Sequence, residues 1–193
     1  MDYKRNTIDV YNKDAEKLAI KFEKLLELHR RFEFPKFIEL LNGKKVLDLG
    51  CGAGEHSLFF KEKGLEITAI DLSERMIELC KDKGINAQVM DIENLEYADQ
   101  SFDGIWAVTS LLHIPKEGLS KVISKLNAIL KSEGILYVCV KEGEGAEIVD
   151  DGRFFQYWQM HDLIKQFNGF EVLFTEKEHV GTRTFLEIFF RKL

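Results

Sequence analysis

Between residues 14 and 30, apolar side chains fall at Ala15, Leu18, Ala19, Phe22, Leu25 and Leu26, the three-and-four spacing of one helical face. One long amphipathic helix is predicted there. Phe34, Phe37, Ile38, Leu40 and Leu41 predict a second helical piece, opening at Pro35, whose fixed φ suits a helix start, and closing at Asn42-Gly43. From Lys44 the period changes. Val46, Leu47 and Leu49, broken only by Asp48, read as a strand buried on both faces of a parallel sheet. Strand, helix and strand then alternate: a strand over 66–70, a helix capped by Ser73 and closed by Gly84, and strands over 87–90 and 102–108. Leu119, Val122, Ile123, Leu126, Ile129 and Leu130 trace a further helical stripe, and Gly134 starts the strand ILYVCV. A helix over 160–167 and two strands, 170–174 and 184–190, complete the chain. No helix separates those last strands, so they are expected to be antiparallel neighbours joined by a charged loop.

This order predicts one α/β domain over 1–193: a helical cap (1–43) on a core (44–193) with a Rossmann-like, doubly wound sheet. The sheet has seven mostly parallel strands and an antiparallel C-terminal strand. The glycine- and acid-rich stretch 142–152 is expected to be a loop over the sheet's carboxyl edge.

Composition narrows the function classes. The 193 residues are 45% hydrophobic and 31% charged, with net charge -6. A nucleic-acid binder usually displays a basic face, so this balance argues against DNA or RNA as partner. The densest basic pair, Arg30-Arg31, is flanked by Glu27 and Glu33 and reads as a solvated helix face. No apolar run approaches the roughly 18 residues of a membrane helix, and the opening MDYKRNTIDVYNKD lacks a signal-peptide core, so a cytoplasmic protein is expected. Cys51, Cys80 and Cys139 lack the spacing of a disulfide framework or zinc site, and no metal is indicated. Cys51 reads as a small residue fitted between strand and helix rather than a reactive thiol.

The chemistry starts at KVLDLGCGAGEHS, residues 45–57. Gly50, Gly52 and Gly54 free the backbone to turn tightly and to lie against a ligand, and a helix is expected from Glu55. A dinucleotide turn would want its third glycine at position 55, where a glutamate would oppose a pyrophosphate. Asp71 ends the second strand, twenty-one residues past Gly50, where an acid accepts hydrogen bonds from both ribose hydroxyls of an adenosine. It does not by itself separate NAD from other adenosine cofactors.

In its G-x-G-x-G spacing the sequence resembles the class I S-adenosylmethionine-dependent methyltransferases, whose cofactor carries a sulfonium and no phosphate. The resemblance runs from about Tyr11 to the end. It implies that Asp91, in QVMDIENL, meets the adenine amino group while the Ile92 amide meets a ring nitrogen. Backbone near Ala107, in FDGIWAV, would face the methionine portion. Leu72 and Met76 join Cys51 and the three glycines in the implied cofactor set. Leu130-Lys-Ser-Glu-Gly134 stands where relatives read L-K-P-G-G, a departure expected to touch only a turn. SLLHIP, VKEGEGAE and DGRFFQYW resemble small bacterial methyltransferase-domain proteins, many of which start with a tyrosine-bearing helix over the methionine end. Tyr11 matches that tyrosine, and Leu18 replaces a second one.

Methyl transfer from a sulfonium is an in-line displacement with a neutral leaving group, so alignment dominates and a base is needed only for a protonated nucleophile. Asp48 is placed either to reach the methionine ammonium or to hold the loop amides. His113, past the fourth strand, is the candidate base and acceptor contact; its alternative is a packing histidine ahead of Pro115. Lys141, Glu142, Arg153 and Tyr157 are candidate substrate contacts at the crevice rim, and Arg153 could equally pin its loop to Asp150 or Asp151. His29, His56, His161 and His179 read as structural or surface residues. The expected activity is methyl transfer to a small molecule by a monomer or homodimer. The alternatives are a non-catalytic module holding S-adenosylmethionine or S-adenosylhomocysteine, a macromolecule methyltransferase, and an NAD-dependent dehydrogenase. Residues 109–112, Thr-Ser-Leu-Leu, lack the N-P-P-Y-like clamp of nucleic-acid amino methyltransferases.

Overall fold

A computed structural model describes residues 3–28 and 32–193. The central sheet takes the order β3-β2-β1-β4-β5-β9-β8. Its strands are β1 (Lys45–Leu49), β2 (Glu66–Asp71), β3 (Asn86–Val89), β4 (Phe102–Val108), β5 (Leu130–Lys141), β8 (Phe170–Val180) and β9 (Arg183–Lys192). β1 pairs in parallel with β2 on one side and β4 on the other, and only β9 runs against its neighbours. Strand order therefore reverses at β1, which opens a crevice at the carboxyl ends of β1 and β4.

The buried apolar run of β1 follows from cores on both faces. Leu47 and Leu49 join Ile105, Leu126 and Phe190 on one face. Val46 joins Trp106, Tyr137, Phe189 and Phe60 on the other, where α3 (Glu33–Leu40) adds Phe34 and Phe37. Trp106 stacks on Tyr137, ring centroids 4.1 Å apart, and donates its indole N–H to His56 Nδ1 at 2.9 Å. Burial lowers the His56 pKa to about 4, so this histidine is a neutral acceptor inside the aromatic core.

Helices α4 (Glu55–Glu62), α5 (Glu74–Asp82) and α6 (Lys116–Ile129) connect the parallel strands. Ser73 caps α5 as expected, accepting from the Met76 amide at 3.2 Å. Three predictions needed correction at the N-terminus. A separate helix α1 (Tyr3–Lys13) precedes α2 (Ala15–Leu28), so the predicted single helix is the second of two. Pro35 lies inside the first turn of α3 rather than opening it, and the helix ends at Leu40 without a left-handed glycine, Leu41 being extended. Gly43 serves packing instead: a Cβ there would stand 2.3 Å from Asp103 Cγ, whose Oδ2 accepts the Lys45 amide. The side chains of Leu25, Leu26 and Glu27, and residues His29, Arg30 and Arg31, lie outside the described residues.

Further differences lie at the C-terminal half. β5 begins at Leu130, and Ser132 and Glu133 form a bulge within it rather than a turn, Glu133 taking φ 59. The stretch 142–152 is partly strand: β6 (Ala146–Ile148) pairs with β7 (Phe154–Gln156). Helix α7 (Met160–Ile164) is shorter than predicted. The expected charged loop before β9 is mostly strand, because an edge strand with solvated faces tolerates Glu and Lys at every position. No helix among the described residues is long and apolar enough to cross a membrane.

Candidate active site

The loop leaving β1 is shaped by its glycines. Gly50, at φ 79, donates its amide to Ile70 O, and a Cβ there would lie 2.4 Å from Ser110 Cβ. Only glycine lets the loop after β1 press against the turn after β4. Gly54, at φ 86, likewise leaves no room for a Cβ, which would meet Cys80 Sγ at 2.5 Å. Gly52 donates its amide to Asp71 Oδ2 at 3.0 Å, and Ser73 donates to Oδ1 at 2.9 Å. Burial raises the Asp71 pKa, opposed by the amides of Ser73, Gly52 and Leu72. Asp48 is buried behind the loop and accepts from the Ser57 hydroxyl at 2.6 Å; burial lifts its pKa to about 7. The Cys51 thiol touches Cys80 (Sγ to Sγ 3.9 Å), and that contact together with burial holds its pKa well above the usual thiol value.

A cavity opens between α1 and the carboxyl ends of the strands. Lys4, Thr7, Ile8 and Tyr11 of α1 form one wall. Gly50, Asp71, Leu72, Asp91 and Ile92 form the floor, and the turn after β4 supplies Ser110, His113 and Ile114. Asp91 accepts from Lys4 Nζ at 2.8 Å and from the Glu93 amide at 3.0 Å; burial raises its pKa, but these donors outweigh it and hold the carboxylate below its ordinary value. Lys4 also pairs with Glu93.

A directed hydrogen-bond chain crosses the wall between α1 and the turn after β4. Arg153 Nη1 donates to Tyr11 Oη at 3.3 Å, and Tyr11 Oη lies 3.0 Å from His113 Nε2. His113 Nδ1 lies 2.8 Å from the Phe154 carbonyl, which can only accept. His113 is therefore the Nδ1–H tautomer, and Tyr11 donates to its Nε2. Burial pushes the Tyr11 pKa up and keeps this donor protonated. Burial lowers the His113 pKa to about 4, with Arg153 and Lys141 acting the same way and the Phe154 carbonyl opposing. Phe154 is held from a second side as well, its amide donating to Thr7 Oγ1 at 3.0 Å.

Seven predicted site residues thus meet at one cavity: Tyr11, Gly50, Asp71, Leu72, Asp91, Ile92 and His113. Asp48, Cys51, Gly52 and Gly54 support the loop from behind. Met76 packs fully buried with Ala15, Leu18 and Ala53, and Ala107 is buried inside β4. At the rim, Tyr157 donates to Glu147, Glu142 pairs with Lys177, and Arg153 pairs with Asp151 at 2.7 Å. Sequence reasoning missed Lys4, Thr7, Ile8, Ser73, Ser110 and Ile114. The four-residue steps Tyr3, Thr7, Tyr11 and Lys4, Ile8 were the available signal. The charge argument at Glu55 also changes, because Lys83 pairs with it at 2.7 Å. The stronger argument against a pyrophosphate is position: the cavity opens at Gly50 and the ends of β2 and β3, not at the α4 N-terminus.

A doubly wound sheet with one antiparallel strand near its end, a glycine turn after β1 and acids ending β2 and beside β3 define the S-adenosylmethionine-binding methyltransferase fold. Over residues 46–134 the chain matches the methyltransferase domain family. A ubiquinone biosynthesis O-methyltransferase of Coxiella burnetii is 36% identical over 111 residues, 53% of this chain and 47% of that protein. The methyltransferase GfsG of Streptomyces halstedii is 29% identical over 110 residues, 52% of this chain and 39% of its own length. The chain thus spans about half the length, or less, of these curated relatives. Among solved structures, the 1,6-didemethyltoxoflavin-N1-methyltransferase of Burkholderia thailandensis, with bound S-adenosylhomocysteine, superimposes with TM-score 0.77 at 18% identity, covering 99% of this chain and 89% of that one. A SAM-dependent methyltransferase of Methanosarcina mazei gives TM-score 0.75 at 21% identity, covering 83% and 98%. The fold is that of the S-adenosylmethionine-dependent methyltransferases, whose cofactor is S-adenosylmethionine, and residues 46–134 carry the match to the methyltransferase domain.

Proposed function

We propose that this protein transfers a methyl group from S-adenosylmethionine to a small-molecule acceptor, mainly by positioning the reactants. The observation that carries this reading is the meeting of Asp71 and Asp91, from successive strand ends, on the floor of one cavity beside Gly50. The cavity also fits a ligand chemically. Ser110 Oγ is buried there with no hydrogen-bond partner among the described residues, and an unsatisfied hydroxyl of this kind costs about 1–3 kcal/mol unless a ligand engages it. Asp71 would hold the ribose hydroxyls, Asp91 and the Ile92 amide the adenine, and the Tyr11 side the methionine portion, with Gly50, Gly52, Gly54, Cys51 and Leu72 shaping the loop. Asp48 acts through Ser57 as a loop support, and Met76 and Ala107 act through packing and backbone.

When bound, S-adenosylmethionine supplies an electrophilic methyl; the sulfur–methyl bond breaks as the acceptor–methyl bond forms, and the thioether leaves neutral. His113 does not serve as the base. Its Nε2 is taken by Tyr11 and its environment disfavours a proton, so it positions Tyr11 and Phe154. Alignment of the reacting pair can supply about 7–11 kcal/mol in well-oriented models. The acidic balance and the fold of a small-molecule methyltransferase support a small acceptor rather than nucleic acid or membrane, in the cytoplasm, with 1–193 acting as one domain.

Calorimetry with S-adenosylhomocysteine and NADH tests the cofactor: binding of NADH alone would overturn the reading. The covered Nε2 of His113 also favours a second reading, a module that binds the cofactor without transfer. A coupled assay for S-adenosylhomocysteine formation across a metabolite panel separates the two.

A further inference from the structure

Beside His113, two cations meet at one ring, Phe155, and two more act on the first of them. Lys141, ending β5, places Nζ 3.5 Å from the Phe155 ring centroid. The Arg153 guanidinium lies 5.3 Å from the same centroid and 5.3 Å from that of Tyr11. Lys141 stands opposite Phe185 on β9, and Arg183 is two residues from Phe185 on the same face. Lys21 of α2 completes the group: burial first, then the charges of Arg183, Arg153 and Lys21, lower the Lys141 pKa to about 8. Only Arg153 has a close carboxylate partner, Asp151. Among the described residues, no carboxylate forms an ion pair with Lys141, Arg183 or Lys21. Of the acids that act on Lys141 without pairing with it, Glu147 accepts from Tyr157 and Asp151 pairs with Arg153.

A cation held half-buried against an aromatic ring, with no ion-pair partner among the described residues, is costly unless a ligand completes it. We infer that the acceptor carries an anionic group, a carboxylate or a phosphate, held by Lys141, which the buried Phe155 ring backs, with Arg153, Arg183 and Lys21 adding to the positive field. This rests on the methyltransferase reading and names the substrate class for that site.

The test uses the full chain. Titration with S-adenosylhomocysteine alone reads the cofactor assignment. Separate titrations, with and without S-adenosylhomocysteine, compare benzoate with benzamide and phenyl phosphate with phenol. At least one anion is expected to bind about tenfold or more tightly than its neutral counterpart. The stronger anion tells carboxylate from phosphate. Lys141→Met and the exposed Lys21→Glu should each cut that preference severalfold, while Lys141→Arg retains it and S-adenosylhomocysteine affinity stays within about twofold in all three. Equal affinity for charged and neutral probes, no saturable binding of either anion, or a preference that survives both Lys141→Met and Lys21→Glu would overturn the inference. Anion binding without S-adenosylhomocysteine binding would instead sink the cofactor reading and leave the anionic pocket standing.

Discussion

Tyr11 and His113, 102 residues apart, share a hydrogen bond of 3.0 Å that joins α1 to the turn after β4. Because the Phe154 carbonyl fixes the histidine tautomer, the tyrosine is the donor and the imidazole arrives at neutral pH already satisfied at both nitrogens. Tyr11→Phe leaves Nε2 and the Arg153 guanidinium without that partner in a buried place. A stability loss of about 1–3 kcal/mol is expected in denaturant melts, and long-range nitrogen–proton NMR should show the Nδ1–H tautomer of His113 in the unmodified protein.

Asp71 is the acceptor on which the adenosine assignment turns. Asp71→Asn keeps the shape but loses the charge and one acceptor, and S-adenosylmethionine and S-adenosylhomocysteine should both bind about 10- to 100-fold more weakly in calorimetry. His113→Ala, in contrast, should leave cofactor affinity within about threefold. A large loss there would place the imidazole on the cofactor itself.

Two buried histidines set the acid limb of stability. His56 and His113 both have folded pKa values lowered to about 4 from 6.5, chiefly by burial. Below the unfolded value the unfolded chain takes up protons that the folded chain refuses. The histidine contribution should therefore fall as pH drops from about 6.5 toward 4, by on the order of 3 kcal/mol for each group, against opposite contributions from Asp48 and Glu187, so urea melts of His56→Gln and His113→Gln at pH 7 and pH 5 should each show a shallower acid decline than the unmodified protein.

Glu187 acts in the opposite sense. It is buried on β9 beside Glu178 of β8, Glu33 of α3, and Tyr137 and Cys139 of β5. Burial first, then Glu33 and Glu178, raise its pKa to about 8. The folded state holds this proton more tightly than the unfolded one, so its contribution is present below about pH 4.5 and fades as pH rises through 8. Glu187→Gln should flatten that decline, and urea melts at pH 6 and pH 9 would show it; an unchanged slope would mean that the glutamate is ionised.

Gly54→Ala forces a Cβ to 2.5 Å from Cys80 Sγ at a φ of 86. A loss of about 1–3 kcal/mol is expected. Adding Cys80→Ala should recover only the steric part, leaving the backbone strain.

The sheet was legible because β1, β4 and β5 carry dense apolar runs, and β2 and β3 fall between a helix-ending glycine, Gly64 or Gly84, and an acid. The floor of the cavity was legible for the same reason: Asp71 and Asp91 are those acids. Helix α1 was not, since its inward face is polar; Thr7 is its buried residue, and it meets the cavity rim instead of a hydrophobic core. β8 was cut short because its solvated edge leaves no alternation to read. Ser110 gave no local signal, because its importance comes from what the fold brings opposite it.

Helix α1 is moored on three sides: Lys4 to Asp91, Thr7 to Phe154, and Asn12, whose side-chain carbonyl accepts from the Ser73 hydroxyl at 2.7 Å. On the proposed assignment, adenine competes with Lys4 for Asp91, which couples arrival and release to unmooring. In stopped-flow experiments the observed association rate should climb with cofactor concentration and then level off at the rate at which the helix lets go. On that account Lys4→Met raises the plateau, and turnover becomes a matter of how often the door opens rather than how fast the methyl moves.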